Sequence, residues 1–312
     1  MTATRHRDTR SDSTGLDIEA VRRRIGESGV TRALEIMSDR WSWRILAALQ
    51  RGARRFDALH DELGVSRSTL VRRLAAFART GLVGRKLYMR RPARHEYGLT
   101  AKGRALGHVL LAIAEWDRRW LGRAAVRHDA CGKPLLLSLC CAACGRAVDP
   151  HEVSYRDGLG SHRRRKASTG IGRRARALAL ERRPEFDSVA DVLCDHWSAM
   201  VVAAGFFRVR RFGDLERALG IAPNILSRRL AHLAACGILK PVAYQGRPLR
   251  HEYRLTVRGH DCYNLIVALL EWSDRWISGR HGAPLQLIHL PCGRPLKATW
   301  RCESCGGPVR GH

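Results

Sequence analysis

The sequence predicts an α+β fold, mainly helical, in which two tandem copies of one domain are each followed by a small cysteine-rich module. Three observations lead to this prediction. The chain repeats itself at a constant offset, each copy carries two short helical patterns and then two strand patterns, and a Cys/His pattern recurs after each copy.

The repeat joins residues 33–120 to residues 189–276, which align without a gap at an offset of 156. Thirty-three of the 88 aligned positions are identical, far more than unrelated segments share. The longest common block is R-P-x-R-H-E-Y, at 91–97 in the first copy and at 247–253 in the second. The chain therefore contains a duplicated domain, and we call the two copies repeat one and repeat two.

Each repeat carries the pattern of a winged helix-turn-helix. In repeat one, apolar residues at i, i+3 and i+7 predict a helix over residues 56–63, and Gly64 is suited to cap its end. Ser66 is an N-cap candidate for a second helix that is polar and basic in its first turns. Residues 83–89 and 94–100 predict two strands around a basic tip. Two short helices joined by a glycine turn and followed by a basic hairpin indicate a winged helix-turn-helix.

The charge of the chain indicates a polyanionic partner. Fifty-six Lys and Arg against 29 Asp and Glu give a formal net charge of +27, an excess that favours nucleic acid. The second helix of such a unit fits the DNA major groove, and a basic wing suits phosphates or a narrow minor groove. The alternative is that these arginines serve solubility alone, but the same arginines recur in both repeats.

We therefore predict a DNA-binding set in each repeat. In repeat one it consists of Arg67, Ser68, Thr69, Arg72, Arg73, Arg90, Arg91 and Arg94, and in repeat two of Asn224, Ser227, Arg228, Arg229, Arg247 and Arg250. For Arg73 and Arg229, an ion pair across the protein surface is the alternative to a phosphate contact.

The shared residues resemble the HxlR-type winged helix-turn-helix regulators. The resemblance rests on Trp41, on R-F-x-x-L at 55–59, on L-x-x-R-L at 70–74, and on E-Y-x-L-T-x-x-G at 96–103 followed by E-W, and it covers both repeats nearly end to end. It implies a cytoplasmic transcription factor whose relatives are homodimers of single-domain chains. Some such regulators sense oxidants through a cysteine near the start of the domain. Repeat one has no cysteine in that region, so sensing of that kind is not expected.

A second repeated unit follows each domain, at an offset of 161. It reads H-x2-C-G-x-P-L, five further residues, and C-x2-C-G, at 128–145 and again at 289–306. Three cysteines and one histidine at these spacings can close a tetrahedral zinc site, and a full set of protein ligands makes the zinc structural. We predict one zinc-knuckle-like module after each domain, with two zinc ions per chain. The ligand sets are His128, Cys131, Cys141 and Cys144 in one module, and His289, Cys292, Cys302 and Cys305 in the other.

Three cysteine and histidine assignments stay open at this stage. His151 and His312 also align at the offset of 161, so either pair of histidines could supply the fourth ligands. Cys140 lies opposite Arg301 in the alignment and is either a spectator or a reactive thiol beside the site. The remaining cysteines lack counterparts in repeat one and are interpreted as small core residues: Cys194, Cys236 and Cys262.

These patterns set the predicted boundaries of the chain. They are a polar N-terminal tail that can hold a helix (1–30), winged helix-turn-helix one (31–126), knuckle one (127–150), a basic linker with a candidate helix at Arg173–Arg183 (151–186), winged helix-turn-helix two (187–282) and knuckle two (283–312). No apolar run approaches the roughly 18 residues that span a bilayer, and the N-terminus lacks the apolar segment of a signal peptide. We expect a cytoplasmic protein without a membrane partner.

The predicted function is sequence-specific regulation of transcription through double-stranded DNA. The chain shows no nucleophile–base set or phosphate loop, so we do not expect an enzyme. Two repeats could act as a pseudo-dimeric monomer or form a homodimer, and a small-molecule effector is a further candidate partner. The alternative function is a zinc/thiol redox switch, in which oxidation of the cysteine modules controls DNA binding.

Overall fold

The computed structural model describes residues 16–37, 39–52, 54–91, 94–161, 187–193, 195–278 and 282–311. Both repeats fold as α+β units dominated by helices, as predicted. The first part of the chain contains α1 (Ile18–Glu27), α2 (Gly29–Ile36), α3 (Arg40–Gln50), β1 (Arg54–Arg55), α4 (Phe56–Leu63), α5 (Arg67–Arg79), β2 (Val83–Met89), β3 (Arg94–Leu99), α6 (Ala101–Arg104), α7 (Gly107–Leu121), β4 (Leu137–Cys141) and β5 (Val153–Asp157).

Repeat two contains α8 (Val189–Leu193), α9 (His196–Phe206), α10 (Phe212–Leu219), α11 (Pro223–Ala235), β6 (Leu239–Gly246), β7 (Leu249–Leu255), α12 (Val257–His260) and α13 (Tyr263–Trp276), followed by β8 (Leu285–His289), β9 (Arg294–Pro295) and β10 (Ala298–Cys302). From α8 to α13, repeat two follows the order that repeat one has from α2 to α7, except that an isolated bridge at Arg211 takes the place of β1. No helix in the described ranges combines the length and the apolar content needed to cross a bilayer.

The helix-turn-helix pairs begin and end where the sequence predicts. Gly64 and Gly220 end α4 and α10 in the left-handed conformation, at φ 61° and 60°, which a residue with a side chain adopts only at a cost. The Ser66 hydroxyl accepts from the Thr69 amide at 3.3 Å and caps α5. In repeat two, Pro223 occupies the first turn of α11 instead, where its fixed φ suits the helix.

Each wing is an antiparallel hairpin, as predicted. β2 pairs with β3, and β6 pairs with β7. The short β1 adds a third strand through Arg54, which lies opposite Tyr97. Each wing therefore extends directly from the C-terminal end of a recognition helix, α5 or α11.

The two repeats share one hydrophobic core. α13 packs against both α2 and α7. α1, which precedes repeat one, packs against α10 of repeat two and buries Val21 and Ile25. Two indoles cross the boundary in a symmetric pair: Trp116 Nε1 donates to the Arg258 carbonyl at 3.1 Å, and Trp272 Nε1 donates to the Lys102 carbonyl at 3.0 Å. Each buried indole N–H thus has its partner in the opposite repeat.

The start of the predicted linker is instead a strand. β5 pairs antiparallel with β8, with Tyr155 opposite Leu287. Asp157 at its end accepts from Arg24 at 2.6 Å and from Arg23 at 2.8 Å, and the Arg24 guanidinium lowers the pKa of this carboxyl. The apolar residues of this stretch are surrounded by basic and glycine-rich sequence. Their strand partner, β8, lies roughly 130 residues later in the chain, so the local pattern did not predict the strand. The candidate helix at Arg173–Arg183 lies outside the described residues.

The two cysteine-rich modules do not fold as separate knuckles, contrary to our prediction. We call residues 123–149 tail one and residues 282–311 tail two. β4 of tail one pairs antiparallel with β10 of tail two, and Leu139 lies directly opposite Trp300. These two residues are equivalents at the offset of 161, so the ladder is centred on the pseudo-twofold axis that relates the tails.

Tail two also docks on repeat one. The Gly311 carbonyl accepts from Gln50 Nε2 at 3.0 Å, and the His108 ring stacks on Trp300 with 5.6 Å between centroids. At Gly107 the backbones approach so closely that a Cβ would lie 1.3 Å from the Gly311 oxygen. Only glycine fits at position 107 while tail two stays docked.

We predict that Gly107→Ala destabilises the protein by about 1–3 kcal/mol, because the added methyl group forces tail two away from α7. The matched control is Gly26→Ala in α1, where a Cβ would meet no atom within 4 Å and the higher helix propensity of alanine should raise stability by about 0.5–1 kcal/mol. Urea unfolding of the two variants measures both changes, and equal midpoints would contradict the docking of tail two.

Candidate nucleic-acid interface and candidate metal centres

The recognition helices bury one face and expose the other. In α5 the residues Leu70, Leu74 and Phe77 are buried, as the apolar stripe predicts. In α11 the buried residues include Leu226, Leu230 and Leu233. The first two turns of both helices therefore present their polar face to solvent, where a DNA groove can reach it.

Most of the predicted DNA-binding side chains are exposed, either on the recognition helices or on the wings. The exposed members are Arg67, Ser68, Arg72, Arg90, Arg91 and Arg94 in repeat one, and Asn224, Ser227, Arg228, Arg247 and Arg250 in repeat two. Thr69 is half-buried, and its hydroxyl accepts from Ser66 Oγ at 2.9 Å. Arg67 extends over the Phe56 ring and forms an ion pair with Asp57 at 3.1 Å, both on the exterior, so the guanidinium remains accessible to a ligand.

Arg73 and Arg229 correct the prediction, because both guanidinium groups are used inside the protein. Arg229 is 8% exposed and lies 3.0 Å from Asp195. Arg73 forms the equivalent ion pair with Asp39. Both aspartates cap the helices α3 and α9, by accepting from backbone amides such as those of Trp41 and Ser198. Each ion pair therefore fastens a recognition helix to the start of the helix behind it, which is the alternative the sequence left open.

The prediction missed Val71, which is 56% exposed on the outer face of α5. Its equivalent in repeat two is Ser227. Val71 directly precedes Arg72, and Ser227 directly precedes Arg228. An apolar side chain at an exposed position one turn after Ser68 was the available signal. Aliphatic groups on a recognition helix can contact the thymine methyl group.

The wings are braced by a stacked arginine in each repeat. Arg55 lies over the Tyr88 ring at 4.5 Å, and Arg211 lies over the Tyr244 ring at 4.7 Å. The pairs are equivalent at the offset of 156. Each contact joins the residue just before the first helix of the pair to the first strand of the wing, and it places further positive charge beside the recognition helix.

All eight predicted metal ligands fall into two groups, but the grouping differs from the prediction. The first group is His128, Cys131, Cys302 and Cys305, and the second is Cys141, Cys144, His289 and Cys292. Each group takes its histidine and one cysteine from one tail and its C-x2-C pair from the other. The prediction of one complete ligand set within each tail was therefore wrong.

The strand β4 explains the exchange. Its five extended residues carry Cys141 roughly 13 Å beyond Leu137, away from the turn that holds Cys131. On the partner strand, Cys302 lies opposite Leu137, close to that turn. The Glu303 amide donates to the Leu136 carbonyl at 2.9 Å, and the equivalent Ala142 amide donates to the Lys297 carbonyl at 2.9 Å.

The geometry of both groups suits a tetrahedral ion. In the first group His128 Nδ1 lies 3.4 Å from the sulfurs of Cys131 and Cys305. In the second, His289 Nδ1 lies 3.4 Å from the sulfurs of Cys144 and Cys292, and Cys141 Sγ lies 3.9 Å from Cys292 Sγ. Zinc bonds of about 2.3 Å to sulfur and about 2.0–2.1 Å to nitrogen imply tetrahedral edges of about 3.8 Å for S···S and about 3.6 Å for N···S.

The surroundings of the first group favour a thiolate at Cys302 and a fixed histidine. Burial raises the pKa of the Cys302 thiol, but the amides of Ser304 and Cys305 donate to its sulfur and the net result is a pKa of about 7. His128 Nε2 lies 3.3 Å from the Pro308 carbonyl, which orients Nδ1 towards the cysteines. The glycines after the ligand cysteines have φ values of 66° to 73°, which allow the tight turns that bring the sulfurs together.

The other cysteines and histidines of the described ranges lie outside both groups. Cys140 is 6% exposed and is buried beside β10, so its thiol is not presented at the surface. Cys236 and Cys262 are core residues, as predicted, and burial raises the pKa of the Cys236 thiol to about 11. The His151 ring packs at a tilt against the His260 ring, with 4.7 Å between centroids, and His151 belongs to neither group. Cys194 and His312 lie outside the described residues.

Comparison with known proteins assigns both repeats to one family. The model of the HxlR-like helix-turn-helix family matches residues 36–125 and 192–281. An uncharacterised HTH-type transcriptional regulator of Mycobacterium tuberculosis is 38% identical over 133 residues, which cover 42% of this chain and 84% of the relative. The HTH-type regulator YvaP of Bacillus subtilis is 35% identical over 95 residues, covering 30% of this chain and 88% of its own length. These relatives are transcriptional regulators and not enzymes.

A solved structure gives a weaker match. A candidate transcription factor from Pseudomonas aeruginosa is 31% identical, covers 39% of this chain and 83% of its own, and has a TM-score of 0.32. At this TM-score the similarity adds no argument about the arrangement of the whole chain.

The two adjacent arginines of α11 should respond differently to substitution. We predict that Arg229→Ala lowers the free energy of unfolding by about 3 kcal/mol, because Asp195 is left without its partner in a buried ion pair. Arg228→Ala removes an exposed side chain and should change stability by less than about 0.5 kcal/mol. Chemical denaturation measures both. If Arg229→Ala were as stable as Arg228→Ala, the inward role of Arg229 would be wrong.

Proposed function

The chain belongs to the HxlR-like helix-turn-helix family, and on that premise we propose that it is a transcriptional regulator that binds double-stranded DNA with both repeats at once. α5 and α11 enter successive major grooves, and the wings contact the backbone or the minor groove. One pseudo-dimeric chain then supplies the two recognition helices that single-domain relatives would obtain by pairing. Acting on the chromosome, such a regulator works in the cytoplasm.

The observation that carries the proposal is the exposed arginine at the same position of both recognition helices. Arg72 and Arg228 are equivalents, and both are exposed one turn after the helix start. The adjacent equivalents, Arg73 and Arg229, are turned inward. An arginine in the outward position can donate a bidentate pair of hydrogen bonds to guanine, and a good pair contributes about 1–3 kcal/mol of base discrimination. The net charge of +27 supplies the salt-dependent attraction to phosphates.

The two repeats should read different half-sites. Around the shared arginine, α5 exposes Ser68 and Val71, whereas α11 exposes Asn224 and Ser227. Asparagine suits adenine and valine suits the thymine methyl group. The operator is therefore an imperfect palindrome, with similar bases opposite the arginines and different bases beside them.

We predict that Ser68→Asn together with Val71→Ser makes the two selected half-sites converge, because α5 then carries the side chains of α11 at both positions. Selection of duplexes from a random-sequence pool, compared with the unaltered protein, measures the change. Arg72→Ala is the control, and it should weaken binding about 5- to 100-fold with relaxed preference at one base. Two identical half-sites for the unaltered protein would contradict the proposal, as would binding that does not weaken with salt.

The Cys3His groups are proposed to hold structural zinc, one ion in each group. Three cysteines and one histidine complete a tetrahedral shell, so no coordination position is left for a substrate. We predict two zinc ions per chain by elemental analysis of the purified protein. A fully folded preparation without bound metal would contradict this assignment.

Other partners and regulation remain predictions. A zinc/thiol redox switch requires that peroxide eject the metal and release DNA, and DNA binding that survives peroxide with zinc retained would exclude it. The candidate site for a small-molecule effector is a small apolar pocket between the α1–α2 segment and repeat two, lined by Ile25, Val30, Tyr155, Phe206 and Tyr263 among others. Homodimerisation of the whole chain is the alternative to the pseudo-dimeric monomer.

A further inference from the structure

The exchange of ligands between the tails gives the metal ions a role that neither repeat could use alone. We propose that the two ions tie tail one to tail two and thereby fix the spacing at which the two recognition helices bind DNA. This inference rests on the proposed DNA-binding function and adds to it a metal-dependent rule for operator geometry.

Each candidate metal ion takes its ligands from both tails. Tail one supplies His128 and Cys131 to one group and its C-x2-C pair to the other, and tail two does the same in reverse. Each ion therefore joins two segments that are more than 140 residues apart in the sequence. Two such ions, placed near the two ends of the β4–β10 ladder, hold both ends of the tail pair.

The tail pair is attached to both repeats. On the side of repeat one, His108 Nε2 lies 3.1 Å from the Val309 carbonyl, and Gln50 binds Gly311. On the side of repeat two, the Ala298 amide donates to Glu271 Oε1 of α13 at 2.7 Å. Because one tail is fastened to both repeats, a rigid tail pair opposes rotation of one repeat against the other.

Without the ions, the two tails are joined to each other mainly by the β4–β10 ladder. The β4–β10 ladder is a two-stranded sheet of five residues per strand that packs against α7 and α13, and a sheet of only two strands depends on such additional contacts for its stability in water. Metal binding to a preorganised Cys3His site contributes directly to folding. The ions therefore add to the helix packing of the ladder and make the tail pair more rigid, while the shared core keeps the repeats associated.

The pairing of ligands can be tested with two double variants that remove the same number of thiols. Cys131→Ser with Cys305→Ser removes two ligands from one ion and leaves the other site complete, so one zinc should resist a competing chelator as in the unaltered protein. Cys131→Ser with Cys144→Ser removes one ligand from each ion, so neither zinc should resist. Ligand sets confined to one tail would reverse the two results, and that reversal, or equal results for both variants, would overturn the proposal.

The effect on DNA can be tested with the duplex that the metal-loaded protein selects from a random pool. Five base pairs inserted between the half-sites turn one half-site to the opposite face, because a helical turn has 10–10.5 base pairs. We expect the insertion to weaken binding of the metal-loaded protein at least about tenfold, since simultaneous binding of both half-sites is lost. The metal-free protein should lose less than about threefold, whereas its binding to a duplex with a single half-site should be unchanged.

Each other outcome has a definite meaning. An insertion penalty that is the same with and without metal would overturn the proposal, because the shared core would then fix the spacing unaided. Loss of single-half-site binding on metal removal would also overturn it, because the ions would then be needed to fold the repeats themselves. If the metal-loaded protein selects no DNA sequence, the proposed function fails, whereas the zinc counts of the two double variants still decide the pairing of ligands.

Discussion

The antiparallel pairing of β4 with β10 is the contact on which the arrangement of the tails depends. Leu139 and Trp300 are equivalent in the two repeats and lie opposite each other in the ladder. A ladder centred in this way relates the two tails by an approximate twofold axis, so the backbone hydrogen bonds at one end of the ladder are repeated at the opposite end. The exchange of the C-x2-C pairs follows from this register: a strand that crosses the axis carries its last residues to the other tail's histidine.

The two adjacent arginines of each recognition helix have different roles. Of two neighbouring arginines on each recognition helix, one is directed to solvent and the other pairs with the aspartate that caps the helix behind it. The capping carboxylate already accepts backbone hydrogen bonds, and the guanidinium satisfies its remaining capacity. A charged pair removed from water in this way needs both members. The inner arginine therefore sets the position of the recognition helix, and the outer arginine is free to bind a ligand.

The repeats have kept their fold but not their symmetry. Gly107 of repeat one corresponds to Tyr263 of repeat two: a Cβ at position 107 would collide with the Gly311 backbone, whereas Tyr263 is buried and packs against Phe206. Val71 and Ser227 differ in the same way on the recognition helices. In a homodimer a change at one position alters both halves at once, whereas a duplicated chain can change each half separately. The different residues exposed on α5 and α11, and the contact of the Gly311 backbone with Gly107, both reflect this freedom.

The sequence by itself determined the local features, because each depends on residues close together in the chain. The internal offset identified the duplication, Gly64 and Ser66 marked the helix ends, and the Cys/His spacing identified all eight members of the two groups. Only the tertiary structure decided which distant partner each local element meets. Nine residues between Cys131 and Cys141 are compatible with a compact knuckle or with an extended strand, and the choice depends on whether β10 is available to pair. Likewise, the sequence placed Arg73 and Arg229 on basic helix surfaces, but the aspartates that turn them inward lie more than 30 residues earlier.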